Sequence, residues 1–302
     1  MDFNQIINQF QAELLANGIT PPYEIIADAQ LHRFHIEGDK SGSKNGWYVL
    51  HLDGVPCGIC GNWKKGIHLK WSAKNQDHMT ASERLHQIER IKEACKMRNT
   101  MKAKEQQKTA LRAACLWESY PKANPNHPYI IKKRILPFHA RQQGKEIVLP
   151  VTDFDEKIWS LQYINELGEK RFLFNGAIKG NFIPIQHQPH NNQKILICEG
   201  FATGATLAKK HPTHCVIAAC NAGNLKLVAT SIRSFLPDVE LIICADDDRL
   251  NPNNPGLTKG REAAIAAGAL FSKPIWPNCA PISLKDFNDL HCWLAMQEVQ
   301  HV

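Results

Sequence analysis

The 302-residue sequence carries 36 Lys/Arg against 29 Asp/Glu, a formal net charge of +7, with 43% apolar residues and ten cysteines. That is ample for two domains or one large one with real cores, and no stretch approaches the roughly 18 consecutive apolar residues of a membrane span. Met1-Asp-Phe-Asn-Gln5 has neither the basic start nor the apolar centre of a secretory signal, so a cytoplasmic protein with no membrane partner is expected.

The cysteines are scattered, and Cys198, Cys220 and Cys244 fall inside apolar runs, which reads as reduced thiols acting as small hydrophobes rather than a disulfide framework. The charge is unevenly divided. Residues 191–302 hold ten basic and ten acidic residues, so the whole excess lies in residues 1–190, with 26 basic against 19 acidic. A neutral, carboxylate-bearing part joined to a basic part suggests a polyanion held near a metal site. A basic surface kept for solubility is the alternative.

Taken in order, Phe3, Ile6, Ile7, Phe10, Leu14 and Leu15 have helical spacing, stopped by Gly18 and Pro21-Pro22. From Ile25 to Trp71 the pattern turns to short alternating segments (32–36, 47–52, 67–71) separated by turns, which predicts a small antiparallel β unit over residues 1–78. Its turns carry Arg33, Lys40, Lys44, Lys64 and Lys65 near Trp47, Trp63 and Trp71. Such residues can hold single-stranded nucleic acid by phosphate contact and stacking, or the tryptophans can simply fill the core. Cys57-Gly-Ile-Cys60 is half of a zinc ribbon with His51 or His68 in reach, but no second pair follows, so zinc is not expected. Residues 80–118 read as one long helix capped by Thr80 or Ser82, within a connector over 79–120. The proline-rich Tyr120–Pro128 is the best boundary. Residues 121–150 hold six basic residues and one acidic, a strongly cationic stretch. Strands follow at 146–151, 157–164, 170–174 and 182–185, giving a basic strand-rich region over 121–190. A glycine-rich loop at 175–181 carries Lys179.

Residues 191–302 alternate strand and helix: strand 195–198, helix 202–210, strand 216–220, helix 225–236, strand 240–245, helix 260–270, a short strand at 274–276 and helix 287–299. This order predicts a parallel sheet flanked by helices. Neither G-x-G-x-x-G nor G-x-x-x-x-G-K-S/T occurs here, so dinucleotide and Walker-type sites are not indicated. Two of the strands end abruptly in carboxylate, at Glu199 and at Asp246-Asp-Asp248. In such sheets functional groups collect beyond the carboxyl ends of the strands. Three successive aspartates repel one another, and alternation points Asp246 and Asp248 one way and Asp247 the other. Hard oxygen donors without a Cys/His cluster favour Mg²⁺ or Mn²⁺ over zinc. A solvated acidic turn beside an unrelated glutamate is the plainer reading. Asp286 is either a further member of this acidic set or the cap of the last helix, and Asn221-Ala-Gly-Asn224 either lines the site or is a helix-opening turn. The 248–260 loop is long, either a nucleotide-facing flap or an insertion.

Glu199-Gly-Phe-Ala-Thr-Gly204, Asp246-Asp-Asp248 and Lys285-Asp-Phe-Asn-Asp-Leu290 together resemble a Toprim domain. The hexapeptide is similar to the E-G-Y-A-T-A signature of the plasmid-transfer (TraC-type) and satellite-phage alpha-type DNA primases, with Phe201 and Gly204 as mild departures. Trp159–Ile164, Gly168–Phe172 and Gly180–Phe182 resemble the basic subdomain before Toprim in these primases, and Gly46–Tyr48, Asp53-Gly54 and Gly61–Trp63 their N-terminal region. The resemblance implies an α/β Toprim domain over 191–302, preceded by a mixed α+β basic region and the small β unit. It also implies a nucleotidyltransferase that makes short RNA primers from NTPs on single-stranded DNA, in replication or transfer of a mobile element. Glu199, Asp246 and Asp248 would be catalytic, Asp286 a further metal ligand, and Lys170, Arg171, Lys179 and Asn221 would meet nucleotide or template. Because the alpha-type proteins carry a helicase and this sequence stops one helix after the Toprim core, a separate helicase is expected. A DNA-binding adaptor with an inactive site, or a Toprim nuclease, are the other readings.

Overall fold

A computed structural model of the chain describes residues 2–191 and 193–300. They form two compact units, Met1–Lys104 and Glu105–Val302. No helix among the described residues is long and apolar enough to cross a membrane.

In the first unit, strands β1 (His32–Phe34), β2 (Gly46–His51), β3 (Cys57–Asn62) and β4 (Ile67–Ser72) form an antiparallel sheet in sequence order. Alternation splits its side chains between two covers. Tyr48, Leu50, Cys60 and Trp71 pack with Ile6, Phe10 and Leu14 of helix α1 (Phe3–Ala16). Trp47, Val49 and Ile59 pack with Ala94 and Ile91 of helix α2 (Ala81–Ser119). Trp47 and Trp71 are therefore core residues, whereas Trp63 stays half-exposed, with Arg98 and Lys102 over its ring. Cys57 and Cys60 lie three apart in one continuous strand, so they point to opposite faces and cannot chelate one ion together. Burial pushes their thiols up to about 11 and about 12, away from the thiolate a metal needs. Helix α2 is one 39-residue helix, opened by a capping box in which Glu83 N donates to Thr80 Oγ1 and Thr80 N to Glu83 Oε2.

The second unit contains helix α3 (Pro128–Lys133) and an antiparallel sheet of β5 (Arg141–Gln143), β6 (Glu146–Thr152), β7 (Ile158–Asn165) and β8 (Lys170–Phe172). Its other sheet has the order β13-β12-β10-β11-β9. Here β10 (Ile195–Cys198), β11 (Cys215–Ala218), β12 (Leu241–Cys244) and β13 (Leu270–Ser272) are parallel, and β9 (Ile183–Pro184) is an antiparallel edge. Helices α4 (Phe201–Lys210), α5 (Ala222–Phe235), α6 (Pro255–Ala267) and α7 (Phe287–Gln300) complete it. Strands β10, β11 and β12, buried throughout except Ile242, explain the unbroken apolar runs.

Two details differ from the sequence reading. The last parallel strand is Leu270–Ser272 rather than 274–276, because Pro274 and Pro277 lack the amides a ladder requires. Helix α6 starts at Pro255 rather than 260, because Asn254 caps it by accepting from Leu257 N, so the long loop is largely a helix start. One hydrophobic core also runs across residue 190. Ile147, Leu149 and Val151 of β6 and Tyr129 and Ile130 of α3 pack with Leu196, Phe201 and Ala205 of the parallel-sheet layer.

Candidate active site

The chain leaves β10 through α4 to β11 on one side, then crosses back through α5 to β12 on the other. The crevice beyond the carboxyl ends of β10 and β12 is thus a topological switch point, where open α/β sheets bind ligands. Cys198 is in register with Cys244, so Glu199 follows one strand end by one residue and Asp246 the neighbouring strand end by two.

Asp246 is the most perturbed of these groups. Burial, then the charges of Asp286, Glu199 and Asp248, push its carboxyl up to about 8, with Lys170 opposing. Its Oδ1 is buried without a hydrogen-bond partner. Glu199 is also raised, by burial first and then by Asp248 and Asp286, while Lys170 and the Ala222 amide pull it down. Asp286 is raised by burial and by Asp289. It caps α7, its Oδ1 accepting from Asp289 N at 2.8 Å, and it lines the site as well, so the two readings of this residue hold together.

Asp247 points away, as alternation requires. It is 3% exposed and accepts from Asn254 Nδ2 (2.8 Å), Lys273 Nζ (3.2 Å) and Trp276 Nε1 (3.1 Å). Burial raises its carboxyl, but those donors outweigh burial and leave it below its ordinary value. Its backbone amide donates to Lys285 O, which ties the aspartate loop to the segment before Asp286. Asp248 accepts from Gly256 N at 3.2 Å at the start of α6. A Cβ at Gly256 would lie 2.5 Å from Asp246 O, so only glycine allows that helix so close to the strand end.

A cavity of about 320 Å³ opens here. Its lining combines three carboxylates (Glu199, Asp246, Asp286), three lysines (Lys132, Lys133, Lys170), Tyr129, the Leu167-Gly168 turn, and Gly200, Ala202 and Thr203 at the start of α4. A Cβ at Gly200 would lie 3.1 Å from Lys170 Nζ, so the missing side chain leaves room for this lysine at the helix N-terminus. Lysines at a helix N-terminus suit an anionic oxygen cluster. Among the described residues no three His, Cys, Asp or Glu side chains stand close enough to form a ready-made ion cage. The donor chemistry nevertheless fits a hard divalent cation: Asp246 offers an unpartnered buried oxygen in a cluster of mutually repelling carboxylates.

The remaining expected residues are placed differently. Lys170 lines the cavity. Arg171 does not: its Nε donates to Glu146 Oε1 at 2.9 Å and its guanidinium lies 3.9 Å from the Tyr163 ring centroid. Lys179 is exposed on its loop. Asn221 caps α5, its Oδ1 accepting from Asn224 N at 3.1 Å, and is not part of the cavity wall. The reading of the sequence did not single out Tyr129, Lys132 or Lys133. The only signal for them was the charge density of 121–150.

Comparison with known proteins agrees with this architecture. Residues 194–294 match the Toprim domain family. Over 85% of its length the chain is 36% identical to the DNA primase TraC of Escherichia coli, across 268 residues, and 33% identical to a second E. coli protein of the same name, across 265. The chain thus carries a Toprim domain, and over most of its length it is similar in sequence to DNA primases of the TraC type. It spans 24% and 18% of the lengths of those two relatives. Among solved structures, the primase fragment of the bacteriophage T7 primase-helicase aligns at 15% identity and a TM-score of 0.43, covering 60% of this chain and 77% of that one.

Proposed function

We propose that the protein is a metal-dependent primase that joins NTPs into short RNA primers on single-stranded DNA during replication or transfer of a mobile element. The observation that carries this reading is Asp246, whose buried, unpartnered oxygen sits in a carboxylate cluster on a cavity also lined by lysines. Neither half alone suits the task. A carboxylate cluster repels a triphosphate, and lysines alone have no means to hold a divalent cation.

Asp246, Asp248 and Glu199 would hold Mg²⁺ or Mn²⁺, with Asp286 beside them. When bound, the ion supplies positive charge to the attacking and leaving oxygens of phosphoryl transfer. Lys170 and Lys132, with the start of α4, hold the triphosphate and neutralise charge as pyrophosphate leaves. Glu199 has a raised pKa and takes the proton of the attacking 3′-hydroxyl on its carboxylate. Lys179 meets template phosphate from its exposed loop.

The test is incubation of the purified chain with single-stranded DNA, labelled NTPs and Mg²⁺ or Mn²⁺. Short RNA products are expected, lost in Asp246→Asn while DNA binding persists. Absence of product on every template would refute the reading, and metal-dependent cleavage of the DNA would replace it with a nuclease.

A further inference from the structure

Helices α3, α4 and α7 are stitched together by one buried side chain. Asn288 Nδ2 donates to Lys133 O at 2.7 Å and to Thr206 Oγ1 at 2.9 Å, and Asn288 is fully buried. Cys292 Sγ adds a contact to Lys133 O. This packing gathers the C-terminal ends of α3 and α4, hence Lys132, Lys133 and Arg134 from one and Lys209 and Lys210 from the other.

Lys133 is paired with Asp289 at 3.3 Å. The side chains of Lys132, Arg134, Lys209 and Lys210 are exposed and, among the described residues, have no ion-pair or hydrogen-bond partner. His291, on α7, reports how closely they converge. Its pKa is lowered by burial and then by Lys210, Lys209 and Arg134, with Glu298 the one acid opposing them. Two helix C-termini offset only about one unit of positive charge between them, so the ridge remains cationic.

The ridge is continuous with the active-site cavity, because Lys132 lines it. The cavity opens at the start of α4, and Lys209 and Lys210 stand at its end, ten residues on, about 15 Å away. We infer that Arg134, Lys209 and Lys210 form a track for the phosphate backbone of the single-stranded DNA template where it passes the cavity. This rests on the primase reading and assigns the template a surface on the parallel-sheet layer, separate from the loop of Lys179.

The experiment measures fluorescence anisotropy of labelled oligo-dT over a KCl series, with wild type, Arg134→Ala, Lys209→Ala/Lys210→Ala, the triple variant, and Lys226→Ala as a control from the exposed side of α5. Each lost phosphate contact flattens the log–log salt dependence by roughly 0.7. The triple variant is thus expected to be flatter by about 2 and to bind at least about tenfold more weakly at low salt. Primer synthesis by the triple variant should show a raised KM for template with kcat unchanged. A wild-type slope in the triple variant, an equal loss in Lys226→Ala, or no binding of oligo-dT by wild type would overturn the track. Because anisotropy needs no NTPs, an inactive protein that still shows the flattened slope would refute the primase reading and leave the track standing.

Discussion

Asn224 offers the sharpest test of how the second unit holds its loops. It is 4% exposed, in the first turn of α5. Its Oδ1 accepts from Gly180 N at 2.8 Å, and its Nδ2 donates to Ala219 O (2.8 Å), Asn181 O (2.9 Å) and Ile178 O (3.1 Å). One amide thus pins the Lys179 loop to the end of β11. Asn224→Ala strands the Gly180 amide and the Ala219 and Asn181 carbonyls, while Ile178 O keeps its bond from Asn181 N, each unmade buried bond costing about 1–3 kcal/mol. Gly180 and Asn181 are only half-buried, so water recovers part of this, and a total of about 3 kcal/mol is expected. For a unit this size that lowers Tm by roughly 6–12 °C. Asn224→Asp keeps the acceptor for Gly180 but sets a carboxylate oxygen against three carbonyls. Its pKa should therefore rise, and a protonated carboxyl can donate again. The stability of Asn224→Asp should accordingly be greatest at low pH and be lost as pH rises through that raised value. Urea and thermal unfolding at pH 5 and pH 8 measure both variants. An Asn224→Ala protein within about 0.5 kcal/mol of wild type, or an Asn224→Asp protein equally stable at the two pH values, would refute the reasoning.

Two further outcomes bear on the carboxylates. Asp246, pushed up to about 8 by burial and its acidic neighbours, keeps its proton at neutral pH until a cation displaces it. Apparent Mg²⁺ affinity should weaken by about tenfold per pH unit below that value, with calorimetry in two buffers reading the released proton; affinity that is flat between pH 6 and 8 would contradict this. The same shift makes the metal-free fold lose stability as pH rises towards about 8, since only the native state still holds that proton. Gly256→Ala should cost about 1–3 kcal/mol and reduce primer synthesis through the displaced Asp246 backbone. An active, undestabilised Gly256→Ala protein would show that α6 can retreat.

What could be read from the sequence follows from periodicity. Buried parallel strands are apolar on both faces, so 195–198 and 241–244 appear as unbroken runs, and their ends locate Glu199 and Asp246. Alternation separates Asp247 from its neighbours, and the structure gives that residue three donors of its own. Cross-strand and cross-element partners carry no such local mark. Arg171 meets Glu146 because β8 pairs with β7 and β7 with β6, a neighbourhood set by register. Lys132 and Lys133 sit on a six-residue helix after a proline-rich turn, too short for periodicity to aim them.

Asp286 shows why a choice between cap and active-site residue is a false one. A cap needs one oxygen, and Asp286 gives Oδ1 to the Asp289 amide. That hydrogen bond, with a second backbone contribution from Asn288, fixes the side chain at the start of α7, while the Asn288 side chain locks the same helix to α3 and α4. The helix N-terminus stabilises negative charge, yet burial and Asp289 still raise the carboxyl. The cap is therefore a means of holding a carboxylate at fixed distance from Asp246 despite their repulsion. A freely rotating aspartate would swing away to solvent, and Asp246 would lose the neighbour that contributes most to its shift after burial.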